Sequence, residues 1–161
     1  MYFSRYLEDV IKSVNSSFKV LYLGGPRQVG KTTLLKHLAG KFKMNYVTFD
    51  DLRVRKLAKD DPELFLEINP APLLIDEVQY VPQLFSYIKI RVDASDKTGR
   101  YWLTGSHQFS VLKDIQESLA GRVGILNLLG FSRAEENLAR KRNKPFDLEH
   151  SNEVKITEKF S

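Results

Sequence analysis

The sequence predicts an α/β fold in which a five-stranded parallel sheet carries helices on both faces. Short apolar runs of strand length alternate along the chain with segments whose apolar residues recur every three or four positions. Strands that are separated by helices pair in parallel, and the connecting helices cover both sides of the sheet. A length of 161 residues is typical of one domain with one core.

The individual elements follow from the same periodicities. Apolar residues at helical spacing predict an amphipathic N-terminal helix over roughly residues 2 to 14. Later helices are predicted at 34–38, in two short pieces within 52–68, and at 84–92 and 109–119. Nearly continuous apolar runs predict buried strands at 18–23, 44–49, 72–77, 100–105 and 123–129.

Three helix starts are marked by capping residues. Asp51 and Asp61 each precede a predicted helix, and a proline follows Asp61 at the first helical position. Ser132 and Glu135 have the spacing of a capping box, which predicts a further helix beginning at Arg133.

The composition excludes several classes of protein and site. The chain is 42% hydrophobic and 28% charged, which is ordinary for a globular protein and argues against disorder or a fibrous fold. It has no cysteine, and its three histidines have no metal-binding spacing, so any metal would be held by oxygen. No apolar run approaches the length of a membrane span, so we expect a cytoplasmic protein without a membrane segment.

Charge and composition change near the end of the chain. The net charge is +5, and the basic run at 139–144 fits either a solvated helix end or a contact with nucleic acid or an acidic partner. Residues 145–161 are polar with isolated apolar side chains, as in a loosely attached strand or a disordered tail. We therefore expect one domain over 1–135, including the N-terminal helix, and a basic polar tail over 136–161.

A glycine-rich loop lies between the first predicted strand and the helix that follows it. Gly25, Gly30, Lys31 and Thr32 satisfy the phosphate-binding pattern G-x-x-x-x-G-K-S/T in the required strand-to-helix context. The glycines allow backbone N–H groups to face phosphate oxygens, Lys31 adds positive charge, and the Thr32 hydroxyl is a ligand for Mg²⁺. The predicted nucleotide-binding residues are Gly25, Pro26, Arg27, Gln28, Val29, Gly30, Lys31, Thr32 and Thr33.

Two acidic residues end the third predicted strand, in the pattern of a Walker B element. Asp76 is predicted to hold Mg²⁺, directly or through water. Glu77 is predicted to act on the water that attacks the γ-phosphate, and the alternative is that it caps the next segment. We interpret Asp50 and Asp51, which follow the second strand, as helix-capping residues.

Further candidates flank the last two strands. In P-loop ATPases with a strand inserted between the P-loop and Walker B strands, the end of that strand carries a γ-phosphate sensor. Thr104 and Ser106 both qualify, with local turn chemistry around Gly105 as the alternative. Arg122, before the fifth strand, is either an arginine finger for a neighbouring subunit or an ordinary surface residue.

Five segments together resemble a known family: GGPRQVGKTTLLKHLA, YVTFDD, LLIDEVQ, YWLTGSHQ and SLAGRVGILNLLGFS. They are similar to AAA+-type P-loop ATPases of archaea and bacteria in which the ATPase domain precedes a C-terminal domain of unknown function. The resemblance covers residues 1–135 and implies an ASCE-type sheet of order 5-1-4-3-2 with ATP and Mg²⁺ as ligands. It also implies a helical lid after the fifth strand, so we expect a truncated member in which hydrolysis is affected more than binding.

Three function classes remain open for a chain that binds ATP and ADP. The first is a Mg²⁺-dependent ATPase, acting as a homo-oligomer if the finger works between subunits, that couples hydrolysis to work on DNA or a protein partner. The second is a nucleotide-gated switch that binds ATP with little hydrolysis. The third, a small-molecule phosphotransferase, is disfavoured because no arginine-rich acceptor lid is visible.

Overall fold

A computed structural model describes residues 4–106, 109–133 and 135. The helices are α1 (Leu7–Ser17), α2 (Lys31–Lys41), α3 (Leu52–Asp60), α4 (Pro62–Ile68), α5 (Leu84–Asp93) and α6 (Phe109–Ser118), with a short 3₁₀ turn at Val78–Tyr80. The strands are β1 (Val20–Gly24), β2 (Asn45–Thr48), β3 (Leu73–Asp76), β4 (Tyr101–Thr104) and β5 (Val123–Asn127). Within the described ranges, every helix is too short or too polar to cross a lipid bilayer.

The five strands form one parallel sheet. Their order is β2-β3-β4-β1-β5, which confirms the predicted order 5-1-4-3-2. Thr48, Asp76 and Thr104 lie opposite one another at the ends of β2, β3 and β4. Because parallel strands end at a common edge, the segments that follow β1, β3 and β4 lie side by side.

Successive residues of each strand face two different cores. Val20 and Tyr22 of β1 pack with residues of α3 to α6, whereas Leu21 and Leu23 pack with α1 and α2. Trp102 of β4 is fully buried in the second core. A fully buried aliphatic side chain contributes roughly 1.5–3 kcal/mol, so both helical layers are held mainly by burial against the sheet.

The N-terminal helix differs from its prediction. It runs from Leu7 to Ser17 rather than over residues 2 to 14, and residues 1–3 lie outside the described part of the chain. The hydroxyls of Ser16 and Ser17 donate to carbonyls four residues earlier, and the helix ends where Phe18 becomes extended. Apolar periodicity fades in this polar last turn, so it could not mark the end.

The predicted helix caps are confirmed. Asp51 and Asp61 accept hydrogen bonds from backbone N–H groups in the first turns of α3 and α4, each at 2.9 Å. Ser132 and Glu135 exchange the two hydrogen bonds of a capping box, at 2.9 and 3.2 Å. The predicted tail at 136–161, with its basic run, lies outside the described residues.

A buried arginine joins residues near the start of the described chain to residues near its end. The Arg5 side chain is ion-paired with Glu135 at 3.0 Å and donates to the carbonyls of Leu129 at 2.8 Å and Val29 at 3.3 Å. Its guanidinium also lies 4.1 Å from the centroid of the Phe131 ring. Burial opposes ionisation of Glu135, but N–H groups of Ser132 and Tyr6 and the Arg5 charge outweigh it, so the pKa of this carboxyl is lowered.

We expect Glu135→Gln to lower the free energy of unfolding by roughly 3 kcal/mol near neutral pH, because it leaves Arg5 buried without its carboxylate. Since the folded pKa is the lower one, the stabilisation is present above the ordinary value near 4.5 and is lost as pH falls through the folded pKa. Chemical denaturation of the wild type and of Glu135→Gln, from neutral pH down to below the folded pKa of Glu135, measures the difference in the free energy of unfolding. Glu117→Gln, which breaks an exposed ion pair with Lys113, is the control; an equal effect of both substitutions would contradict the prediction.

Candidate functional site

The common edge where β1, β3 and β4 end carries a cleft of about 510 Å³. Its lining residues are Arg27, Gln28, Gly30, Lys31, Thr32, Thr33, Asp50, Glu77 and Tyr80. Six of them belong to the predicted nucleotide-binding loop. Asp50 and Tyr80 were not predicted to line a site: Asp50 was interpreted as a cap, a role that Asp51 alone is seen to fill at α3.

The glycines of the loop are required for steric reasons. Gly25 has φ of +148°, and a Cβ added there would lie 2.2 Å from the carbonyl oxygen of Leu128, just beyond β5. Gly30, directly before α2, has φ of +92°. Residues with a Cβ rarely adopt such positive φ values. Only glycine therefore allows the loop to pass this close to β5 and to lead into α2.

Lys31 is buried at the bottom of the loop. Its ammonium donates to the carbonyls of Gly25 at 3.0 Å and Pro26 at 2.6 Å. Burial lowers its pKa, while the charges of Glu77 and Asp76 act in the opposite direction. Loop carbonyls therefore take the place at the ammonium that phosphate oxygens would fill, and Pro26 contributes through its backbone rather than by lining the cleft.

Asp76 is buried at the end of β3 and hydrogen-bonded by hydroxyl groups. Thr32 Oγ1 donates to its carboxylate, lying 2.9 and 3.1 Å from the two oxygens, and the Tyr46 hydroxyl lies 3.2 Å from Oδ2. Burial raises the pKa of Asp76, Glu77 raises it further, and the Thr32 and Tyr46 hydroxyls lower it. Sequence patterns did not predict Tyr46, whose ring centroid lies 3.8 Å from the Lys36 ammonium nitrogen.

These oxygen donors fit Mg²⁺. This ion prefers hard oxygen ligands and is usually held by one or two carboxylates together with phosphates and water. Among the described residues, no group of three or more histidine, cysteine or acidic side chains is placed so that it could hold a metal ion. Thr32 and Asp76 would supply two oxygen ligands from the protein, and the phosphates of a nucleotide and water would supply the others.

Glu77 lines the same cleft, beside Asp76. It is one of few non-glycine residues with positive φ, at +58° and ψ of +44°, and its N–H lies 3.2 Å from Asp76 Oδ1. This left-handed conformation begins the 3₁₀ turn and turns the chain away from the strand. The Gln79 side-chain amide donates to the Glu77 carboxylate.

The two sensor candidates have different surroundings. Thr104 is fully buried, and its hydroxyl donates to the Leu23 carbonyl at 3.0 Å. The Ser106 hydroxyl oxygen is also buried but has no hydrogen-bond partner within the described structure. Ser106 therefore keeps hydrogen-bonding capacity that Thr104 has already used.

Arg122 lies far along the sheet from the cleft. It directly precedes β5, and its carbonyl accepts from the N–H of Val20 at 3.0 Å, at the amino end of β1. Its guanidinium forms an ion pair with Asp93, with Nη2 at 3.0 Å from Oδ2, and this contact lowers the pKa of Asp93. Within one chain the structure does not bring Arg122 to the cleft. Arg122 could therefore reach only the cleft of a second copy of the chain.

A family model described as an AAA domain matches residues 17–137. Two uncharacterized proteins, from Mycobacterium bovis and Mycobacterium tuberculosis, are each 38% identical over 116 residues, which cover 70% of this chain and 25% of theirs. The chain thus spans about a quarter of the length of these curated relatives.

Two solved structures show low overall likeness. A sugar kinase from Janibacter sp. has 16% identity and a TM-score of 0.39, covering 78% of this chain and 68% of its own. A structure of two coordinating Pif1 helicases on forked double-stranded DNA has 14% identity and a TM-score of 0.47, covering 88% of this chain and 52% of the other.

We expect Lys31→Ala to weaken Mg-ATP binding by about 1.5 to 3 kcal/mol, or roughly 10- to 150-fold, because a charge-assisted contact to phosphate is lost. Calorimetry measures the affinity, and circular dichroism checks that the fold is intact. Lys41→Ala, on the exposed end of the same helix, is the control. Equal affinities of the Lys31→Ala protein and the wild type would disprove the role.

Proposed function

The chain belongs to the AAA domain family, and we propose that this nucleotide-binding P-loop protein is a Mg²⁺-dependent ATPase. The observation that carries the proposal is that Lys31, Thr32 and Glu77 line one cleft, with Asp76 hydrogen-bonded to Thr32. These are a cation for phosphate, two oxygen ligands and a carboxylate that can accept a proton.

In the proposed reaction, the loop N–H groups and Lys31 bind the triphosphate of ATP. Bound Mg²⁺ would neutralise phosphate charge from its place at Thr32 and Asp76. Glu77 orients a water molecule and accepts its proton as the water oxygen bonds to the γ-phosphorus. The bond from that phosphorus to the β–γ bridging oxygen breaks, which yields ADP and phosphate.

A nucleotide-gated switch with little hydrolysis is the second candidate. It is supported by the contacts of Lys31, whose ammonium is bound by two loop carbonyls. ATP binding that rearranges these contacts would change the loop conformation, and the bound state would persist if turnover is slow.

The partner and the location belong to the proposal as well. We place the protein in the cytoplasm, where DNA or another protein would be the object of its conformational work. The net charge of +5 suits a nucleic acid or an acidic protein surface.

We expect Glu77→Gln to retain ATP affinity and to slow hydrolysis by roughly 10²- to 10⁴-fold, the usual contribution of a positioned base. Steady-state phosphate release and calorimetry separate the two effects. Glu63→Gln, on the exposed first turn of α4, should leave both unchanged. Measurable wild-type turnover that survives in Glu77→Gln would exclude the base; ATP binding without wild-type turnover would favour the switch.

If Arg122 acts in trans, Arg122→Ala should reduce turnover by about 10³- to 10⁵-fold, and an excess of Glu77→Gln protein should restore it by donating its own Arg122. Asp93→Asn is the control, because it breaks the ion pair but keeps the arginine. Turnover of mixtures is measured together with association by analytical ultracentrifugation. Associated proteins that recover no activity, or a chain that hydrolyses ATP as a monomer, would contradict the finger.

A further inference from the structure

The Gln79 side chain lies between the Glu77 carboxylate and the loop that follows β4. Its amide Nε2 donates to Glu77 Oε2. Its other polar atom, Oε1, is buried and has no hydrogen-bond partner within the described residues. We propose that Gln79 is a positioning residue: it sets the orientation in which the Glu77 carboxylate acts on the water that attacks the γ-phosphate.

The chemistry of the two side chains fixes which way the carboxamide points. An ionised carboxylate only accepts hydrogen bonds, so it requires the NH₂ end of Gln79. The oxygen end must then face away from Glu77, towards Gly105. A reversed amide would place two acceptor oxygens together, so the orientation follows from the contact itself.

Gly105 provides the space for this arrangement. A Cβ added at Gly105 would lie 2.3 Å from Gln79 Oε1, and the nearest other atoms are 3.4 Å or more away. Gly105 is not among the glycines with positive φ, so an alanine could adopt its backbone conformation. The space at Gly105 therefore accommodates this orientation of the carboxamide and is not needed for the turn.

The local backbone holds Gln79 in place. Glu77 takes up the left-handed conformation, and the 3₁₀ turn Val78–Tyr80 follows, with the Tyr80 N–H donating to the Glu77 carbonyl at 3.2 Å. Residues Glu77 and Gln79 are thereby brought to the same side of a single tight turn. Val78 between them is fully buried in the core of α3 to α6, which anchors the turn.

This inference rests on the proposed ATPase, because it concerns the residue assigned as its base. A carboxylate that is misplaced by about 1 Å can lose about 10²-fold in rate, although it stays chemically intact. Removing the carboxamide should therefore affect the chemical step and leave binding of the triphosphate unchanged, since Gln79 does not line the cleft.

Two variants test the role from different sides. Gln79→Met removes the amide with little change of shape, and Gly105→Ala leaves Gln79 in the sequence but displaces its carboxamide. Each should lower kcat by about 10- to 100-fold with unchanged KM, unchanged ATP affinity and an unchanged melting temperature. The matched controls are Gln83→Met at the exposed start of α5 and Gly40→Ala on the open face of α2, which should behave as wild type.

A double-mutant cycle separates positioning from a general structural role. In the Glu77→Gln background neither Gln79→Met nor Gly105→Ala should lower kcat further, because the group they position is already gone. A further loss in that background would overturn the proposal. If Gln79→Met does not fold, Gly105→Ala decides alone.

The outcomes also distinguish this inference from the proposed function. Wild-type turnover together with unaffected Gln79→Met and Gly105→Ala proteins would refute the positioning role and leave the ATPase standing. A wild type that binds Mg-ATP without hydrolysing it would refute both.

Discussion

The common direction of the five strands is the constraint on which the site depends. It brings the loop after β1, the acids at the end of β3 and the polar end of β4 to one edge of the sheet. Register matters as much as direction, because Asp76 faces the same side of the sheet as α2, where Thr32 meets it at 2.9 Å. A shift of β3 by one residue would turn this carboxylate towards the opposite core.

Buried charges of both signs are tolerated here because groups of the chain itself satisfy them. Loop carbonyls accept from the Lys31 ammonium, and hydroxyls of Thr32 and Tyr46 donate to Asp76. Burial shifts both pKa values towards the neutral forms, downwards for Lys31 and upwards for Asp76. Phosphate oxygens and a divalent cation would give Lys31 and Asp76 partners of opposite charge at the same time. The burial that disfavours these two charges in the free protein therefore favours binding of such a ligand.

Local patterns predicted most of the helices and strands, because apolar periodicity and helix starts depend on signals close together in the chain. The strand order joins segments far apart in sequence and was predicted only through the resemblance to a known family. Asp51 and Asp61 accept hydrogen bonds from N–H groups two and three residues later, and the P-loop pattern lies within residues 25–32. What escaped prediction depends on distant partners: Arg5 meets Glu135 across 130 positions, and Tyr46 meets Asp76 across 30. Asp50 was misjudged for the related reason that no pattern shows which of two adjacent acids faces a cleft.

Some polar groups of the site lie on strands and others on loops, and the two sets differ in whether their polar atoms have hydrogen-bond partners. Thr104 and Asp76 lie on strands, and their polar atoms already have partners. Ser106 and Gln79 lie beyond the strand ends, and each keeps a buried polar atom unpartnered within the described structure. Buried polar atoms without partners are unfavourable, and a non-glycine residue in left-handed conformation, as at Glu77, is a further local cost. A rearrangement that gave these atoms partners would be favourable, so the loops after β3 and β4 are the parts of the site in which a change of conformation costs least.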